Sequence, residues 1–344
     1  MSACYDTGMS FEQLKDKKTL LLIAIPVLLG LGFLIGILSA PLSGQAIVLD
    51  GDCPPDLKFV KPQDDCASFK DASTRMQELQ DSLRRQVNGY TDSGRADQVS
   101  VFVRDLDTQR FASVNEGEQF SMASLLKVPL AVAYYRLAEL TPDLLSQKIA
   151  YDGSQDQYAL QAIQPPQRLT AGASYTVKDL LYRALAYSDN TAAELLSENF
   201  VSYDYLQKIL LSVGLTPKDP DAKEYSVTAR SMAGVFRALF NSSFLSRSYS
   251  NEILKALSES AFDQGSTADL PKGVIVAHKF AERSAIDGAT GQVASRELHD
   301  CGIVYAANGL GPYSFCIMTE GKDFSNLESI IQNVSLTIYK GIGE

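Results

Sequence analysis

Tryptophan is missing from the 344 residues, and its absence excludes nothing by itself. Histidine is nearly missing. The two that occur, His278 and His299, are too few and too isolated for a metal site built mainly of imidazole. The five cysteines, Cys4, Cys53, Cys66, Cys301 and Cys316, form no C-x-x-C pair. That excludes zinc-ribbon and thioredoxin-like arrangements. Clustered positive charge is absent too. The formal net charge is −10, the isoelectric point about 4.9, and Lys and Arg are scattered. Nucleic acid is therefore not an expected partner, since it needs a basic face. No internal repeat and no low-complexity tract is visible.

What is present fits a globular protein with a real core: 45% apolar and 21% charged residues. The longest apolar feature lies near the N-terminus. Residues 20–40, LLLIAIPVLLGLGFLIGILSA, carry no charge. As a helix the run spans about 30 Å, the hydrocarbon thickness of a bilayer. Lys15, Lys17 and Lys18 precede it, and no Lys or Arg follows before Lys58. The positive-inside bias then predicts a single-pass cell-membrane protein with a cytoplasmic tail (1–18), an anchor (19–40) and an extracytoplasmic remainder. The run is long for the apolar part of a signal peptide, which favours a retained anchor. Leu38-Ser39-Ala40 offers small residues for the alternative, cleavage. Gly32-x-x-x-Gly36 is a pattern that can pair two membrane helices, or simply glycine at its ordinary membrane frequency; the oligomeric state stays open.

Residues 41–66 hold four of the 13 prolines and read as a linker. Outside the cytoplasm disulfides are permitted. Cys53 and Cys66 can close a loop in this linker or stay free. Cys301 and Cys316 can bridge two neighbouring strands or pack as small apolar residues. Cys4 would face the cytosol.

The remaining residues, 67–344, read as one domain. A helix is expected over 67–90, from Met76, Leu79, Leu83 and Val87. A hairpin follows, with strands at 99–103 and 110–114. Helical patterns run at 124–138, after Thr176, and at 190–199, 203–213, 229–240 and 249–261. Strands return at 273–279, 301–305 and 313–318, the last two joined by a short turn. An amphipathic helix near 327–339 ends the chain. This order predicts an α/β (α+β) fold. The strands form one antiparallel sheet, the terminal helices cover one face, and a helical subdomain packs on the other.

Three short stretches carry chemistry. In Phe120-Ser121-Met122-Ala123-Ser124-Leu125-Leu126-Lys127, Ser124 and Lys127 sit three apart, on one face of a helix. A desolvated lysine can take the proton of a neighbouring serine hydroxyl, which is otherwise a weak nucleophile. Alone, the pair also reads as a helix start with a solvated lysine. Ser188-Asp189-Asn190 precedes a helical run, and alone reads as a cap. Lys279 ends the expected strand Val276-Ala277-His278-Lys279, and alone reads as a solvated charge.

Taken together and in this order, the three stretches resemble the serine β-lactamase and penicillin-binding protein superfamily. Its signature is Ser-x-x-Lys, Ser-Asp-Asn, then Lys-Thr-Gly on a strand. The resemblance is closest to the class A β-lactamase catalytic domain and covers about residues 95–340. It includes Lys-Val-Pro after the first serine and the Tyr-Thr-Val-x-Asp-Leu run before Ser188. It implies that Ser124 attacks the carbonyl of a β-lactam or a peptidoglycan stem peptide. Lys127 would take or relay the proton, and Ser188 would pass it to the leaving nitrogen. Asn190 would bind substrate and help hold Lys127. Lys279 would meet the substrate carboxylate, and the backbone N–H groups of Ser124 and Glu282 would form an oxyanion hole. No metal or organic cofactor is implied.

The chain departs from the pattern twice. The third motif reads Lys279-Phe280-Ala281, which lacks the hydroxyl and the glycine of the family. No Glu-x-x-Leu-Asn follows Ser188, and the Ω-loop interval is short. Glu224 is the candidate deacylating base there, its alternative being an exposed loop carboxylate. Hydrolysis of β-lactams at Ser124 is the first expectation. A D-Ala-D-Ala carboxypeptidase or penicillin-binding protein with slow deacylation is the second. A non-catalytic envelope binding or sensor domain is the third. The joint presence of Ser124, Lys127, Ser188, Asn190 and Lys279 argues against the last.

Overall fold

The computed structural model describes residues 66–215, 225–305 and 311–343, with side chains from residue 74 onwards. The chain divides into two units, Met1–Asp64 and Asp65–Glu344, and all described residues belong to the second. The expected tail, membrane anchor and linker, the Cys53–Cys66 pairing, and Glu224 lie outside the described residues. Among those residues, no helix is long and apolar enough to cross a membrane.

Five antiparallel strands form the central sheet, in the order β2-β1-β9-β8-β7. They are β1 (Gln98–Asp105), β2 (Phe111–Val114), β7 (Ile275–Ile286), β8 (Val293–Tyr305) and β9 (Tyr313–Gly321). The N-terminal hairpin thus joins the C-terminal strands through β1 and β9, where Phe102 faces Cys316 across the ladder. β7 is an edge strand.

The period-2 alternation of strands divides the core. On β8 and β9, Leu298, Val304, Phe315 and Ile317 face the terminal helices α1 (Cys66–Asp92) and α8 (Phe324–Gly343). These helices bring Leu79, Leu83 and Val87, and Ile330, Ile331, Val334 and Ile338, to that face at helical spacing. Cys301, Ile303, Cys316 and Met318 point the other way, into the helical subdomain. Cys301 and Cys316 are directly opposed and joined as a disulfide.

The helical subdomain consists of α2 (Lys127–Ala138), α3 (Val177–Ala186), α4 (Asn190–Ser197), α5 (Tyr203–Ser212), α6 (Ala229–Phe240) and α7 (Arg247–Ser258). Thr176, Asp189, Ser202, Thr228 and Ser246 cap α3 to α7, each accepting a backbone N–H with its side chain. Helix α2 is apolar on nearly every side, and ten of its 12 residues are buried. A helix of that composition has no wet face. It runs through the middle of the subdomain and carries Lys127, its first residue, inside with it. Pro129 is tolerated there because the first turn of a helix needs no N–H from it.

Two corrections to the strand and helix readings bear on the site. Lys279 does not end a strand but lies within β7, which continues to Ile286. Ser124 is not in the α-helix but in a 3-10 turn, Ala123–Leu126, that precedes it. Four short strands, β3 (Phe120–Ser121), β4 (Lys148–Ala150), β5 (Ser174–Thr176) and β6 (Ser226–Val227), form two small ladders, β3 with β6 and β4 with β5.

Candidate active site

The β3–β6 ladder presents the 3-10 turn. Phe120 pairs with Val227, and Met122 N donates to Tyr225 O at 2.7 Å. Ala123 then takes a left-handed backbone, φ 41°, and turns the chain into Ser124. In a 3-10 turn residues i and i+3 eclipse, so Lys127 still reaches Ser124. Its Nζ lies 3.1 Å from Ser124 Oγ.

The same Nζ is 2.5 Å from Ser188 O, 3.2 Å from Ser188 Oγ and 2.5 Å from Asn190 Oδ1. Lys127 is 6% exposed. Burial pushes its ammonium down to about 7, against the opposing pull of Asp189 and Glu282. An amine in that range is half neutral at neutral pH and can accept a proton.

Ser188 sits between α3 and α4 with φ 54°, in the left-handed region that side-chain-bearing residues rarely adopt. That turn aims its carbonyl and its hydroxyl at Lys127 together. The next residue does the anchoring. Asp189 caps α4 through Ala192 N at 3.1 Å, and its other oxygen accepts from Tyr158 OH at 3.3 Å. Burial raises the Asp189 carboxyl, partly offset by Ala192 N–H and the Lys127 charge. Within the triplet, Asp189 realises the capping reading, while Ser188 and Asn190 are the residues that meet Lys127.

Lys279 comes from strand β7. Its Nζ donates to Ser188 Oγ at 2.7 Å and to Phe280 O at 2.7 Å. It is 1% exposed, and burial followed by repulsion from Lys127 holds its ammonium well below the ordinary lysine value. Phe280 is buried against Phe262, ring centroids 4.3 Å apart, and its ring centroid lies 4.2 Å from the Lys279 ammonium. The ring, where the family pattern has a hydroxyl, thus offers Lys279 a π face.

The structure brings Ser124, Lys127, Ser188, Asn190 and Lys279 together. Glu282 lies three residues beyond Lys279 on β7, and its side chain accepts from Ile163 N at 2.8 Å. Glu224 is not among the described residues.

One contributor carries no local sequence signal. Gln161, buried in the loop between β4 and β5, donates to Ser188 O at 3.1 Å and accepts from Asn190 N at 2.9 Å. It ties the backbone of the Ser-Asp-Asn turn at two points. A lone glutamine among Tyr158-Ala159-Leu160-Gln161 has no spacing that marks it.

Solved structures with the same fold include the TLA-3 extended-spectrum β-lactamase, at TM-score 0.66 and 17% identity, covering 78% of this chain and 100% of that one. A β-lactamase from Chitinophaga pinensis matches at TM-score 0.63 and 17% identity, covering 75% and 98%. PBP-A matches at TM-score 0.62 and 18% identity, covering 77% and 96%. No curated protein sequence matches the chain. A family model, described as the beta-lactamase enzyme family, matches residues 79–342. That span takes in Ser124, Lys127, Ser188, Asn190 and Lys279, and it makes the chain a member of the beta-lactamase enzyme family.

Proposed function

We propose that the protein is a serine hydrolase that forms an acyl-enzyme at Ser124 with β-lactams and hydrolyses them. The observation that carries this reading is the buried Lys127 amine, 3.1 Å from Ser124 Oγ and linked through Ser188 Oγ to Lys279. Lys127 accepts the Ser124 proton as Oγ bonds to the lactam carbonyl carbon. The carbon–nitrogen bond then breaks, and the proton travels from Lys127 through Ser188 Oγ to the leaving nitrogen. Water cleaves the resulting ester and regenerates Ser124, so one amide and one water give one acid and one amine. Backbone N–H groups of Ser124 and Glu282 receive the oxyanion. Such a donor lowers the barrier by about 3–4 kcal/mol. Lys279 receives the substrate carboxylate.

A second reading is a penicillin-binding protein that releases the acyl group slowly; the lack of a Glu-x-x-Leu-Asn after Ser188 in the sequence supports it. A mutant of PBP-A, at TM-score 0.60 and 19% identity, is an acyl-enzyme complex with penicillin G. Glu224 is the base proposed for the hydrolytic reading, and Glu224→Gln slows release of the acyl group if it holds that role.

The full-length protein mixed with a chromogenic cephalosporin and a labelled penicillin separates these readings. Turnover lost in Ser124→Ala supports hydrolysis. A persistent Ser124 adduct without turnover supports the second reading. Neither signal at millimolar ligand overturns both. The Leu20–Ala40 run further supports a membrane-anchored domain outside the cytoplasm, tested by protease accessibility in intact cells.

A further inference from the structure

Away from Ser124, positive charge gathers where β1 meets α6. β1 carries Arg104, and α6 carries Arg230 and Arg237, two turns apart. The guanidiniums of Arg104 and Arg230 both stand over the Phe102 and Phe111 rings, 4.7–5.5 Å from the centroids. Burial, then repulsion from Arg237 and Arg230, lowers the proton affinity of Arg104. Among the described residues the trio has one carboxylate partner, Glu116, which accepts from Arg230 at 2.9 Å. The side chains of Arg104 and Arg237, both half-buried, have no ion-pair or hydrogen-bond partner among those residues. Asp105, the neighbour of Arg104, accepts from Asp107 N and Thr108 N in its own turn.

A second observation falls at the same place. Ser314 on β9 is directly opposite Arg104, and opposed residues share a face of the sheet. Phe102, on that face too, lies under Arg230, so it is the face that α6 covers. Ser314 is 0% exposed, and its Oγ has no hydrogen-bond partner among the described residues. A buried hydroxyl in that state is costly and rare. On α6, Gly234 lies between the two arginines, and a Cβ built there meets nothing within 4 Å. β9 and β8 separate β1 from β7, which carries Lys279.

We propose that Arg104, Arg237 and Ser314 form a binding site for a phosphoryl dianion, with exposed Arg230 at its rim. Two guanidiniums without a counter-charge match two negative charges, where a carboxylate supplies one. Their planar forks fit the oxygens of a phosphoryl group, and Ser314 Oγ has a proton to give it. The ligand is inorganic phosphate or a phosphomonoester. The site stands whether or not Ser124 is acylated.

Isothermal titration calorimetry on the full-length protein tests it, at pH 8 and constant ionic strength, with inorganic phosphate, glycerol 3-phosphate and acetate. Saturable binding of a phosphate at millimolar or lower concentration is expected, and none of acetate. R104Q and R237Q should each weaken binding by about tenfold or more, as the loss of a charge-assisted pair does. S314A should weaken it by about threefold, the loss of one ordinary hydrogen bond. K322Q, which alters an exposed cation beyond the other end of β9, should bind as the wild type does. Tighter binding of glycerol 3-phosphate identifies an ester as the ligand, and equal binding identifies free phosphate; both support the site. No saturable binding of either phosphate, equal binding of acetate, or wild-type affinity in both R104Q and R237Q overturns the proposal. R237Q, on the half-buried face of a helix, keeps the test open if R104Q does not fold.

Discussion

Lys127 and Lys279 converge on one oxygen: their ammonium nitrogens lie 3.2 and 2.7 Å from Ser188 Oγ. Burial lowers the proton affinity of both amines, and repulsion from Lys127 lowers that of Lys279 further. In the proposed mechanism this lowered affinity, about 7 for Lys127, lets Lys127 serve as a base near neutrality. In that mechanism Ser188 is the group through which a proton leaves the pair.

The acylation rate should follow the neutral fraction of Lys127. It is expected to rise with pH, pass half-maximum near pH 7, where burial places the Lys127 amine, and level off above. Lys127→Arg keeps the charge and cannot release its proton, so the rate should fall by about 10²–10⁴-fold at all pH values. Stopped-flow acylation with a chromogenic cephalosporin measures both. A flat wild-type profile from pH 5 to 9 would remove Lys127 as the base.

Stability should carry an imprint of the same residue, in the same direction of pH. Between about pH 7 and the ordinary lysine value of 10.5, the unfolded chain binds a proton at Lys127 that the folded protein does not. The destabilisation is therefore full below pH 7 and is relieved as pH rises, by up to about 1.4 kcal/mol per unit. Lys127→Met should be more stable than wild type at pH 7, with the difference shrinking toward pH 9. Urea denaturation at the two pH values gives the result.

Phe280→Thr restores the family hydroxyl but removes a ring that packs on Phe262 and faces the Lys279 ammonium. A large-to-small change at such a site costs about 3 kcal/mol. The variant is expected to melt earlier, and a melting temperature equal to wild type would show that the ring is not part of the core.

Gly302 lies opposite His278 on β8, one residue from the pair Lys279–Cys301. A Cβ there would come within 2.7 Å of His278 Cβ, and closer still to Ala277 O. Gly302→Ala should push β7 away from β8, lose about 1–3 kcal/mol of stability and lower acylation. His278 is fixed beside it, its Nδ1 2.8 Å from the buried Asp300 carboxylate. An unchanged melting temperature in Gly302→Ala would show that the two strands can part without cost.

The main elements were legible because their patterns are strong. Leu79, Leu83 and Val87 announce α1, and the short apolar run from Cys301 to Tyr305 announces β8. The outer halves of β7 and β8 were missed because Glu282-Arg283-Ser284 and Ser295-Arg296-Glu297 carry charge where a strand signal needs apolar residues. Their pairing supplies the order instead, from Lys279–Cys301 out to Ile286–Val293. Ser124 and Lys127 were readable from their spacing, which survives the exchange of an α-turn for a 3-10 turn. Gln161 was not readable. Its partners, Ser188 and Asn190, lie 27 and 29 residues away and are reached only once the chain has folded.

The left-handed backbone at Ser188 has a consequence for how its role is dissected. Holding a residue with a Cβ at φ 54° costs roughly 1–2 kcal/mol, and the contacts of its carbonyl to Lys127 and Gln161 offset that cost. Ser188→Ala removes the hydroxyl and keeps the conformational cost. Ser188→Gly removes both, because glycine adopts this backbone freely. The difference between the two variants therefore isolates the conformational contribution from the chemical one. If Ser188→Gly is the more stable of the two and equally slow in acylation, the turn and the proton path are separable properties of one residue.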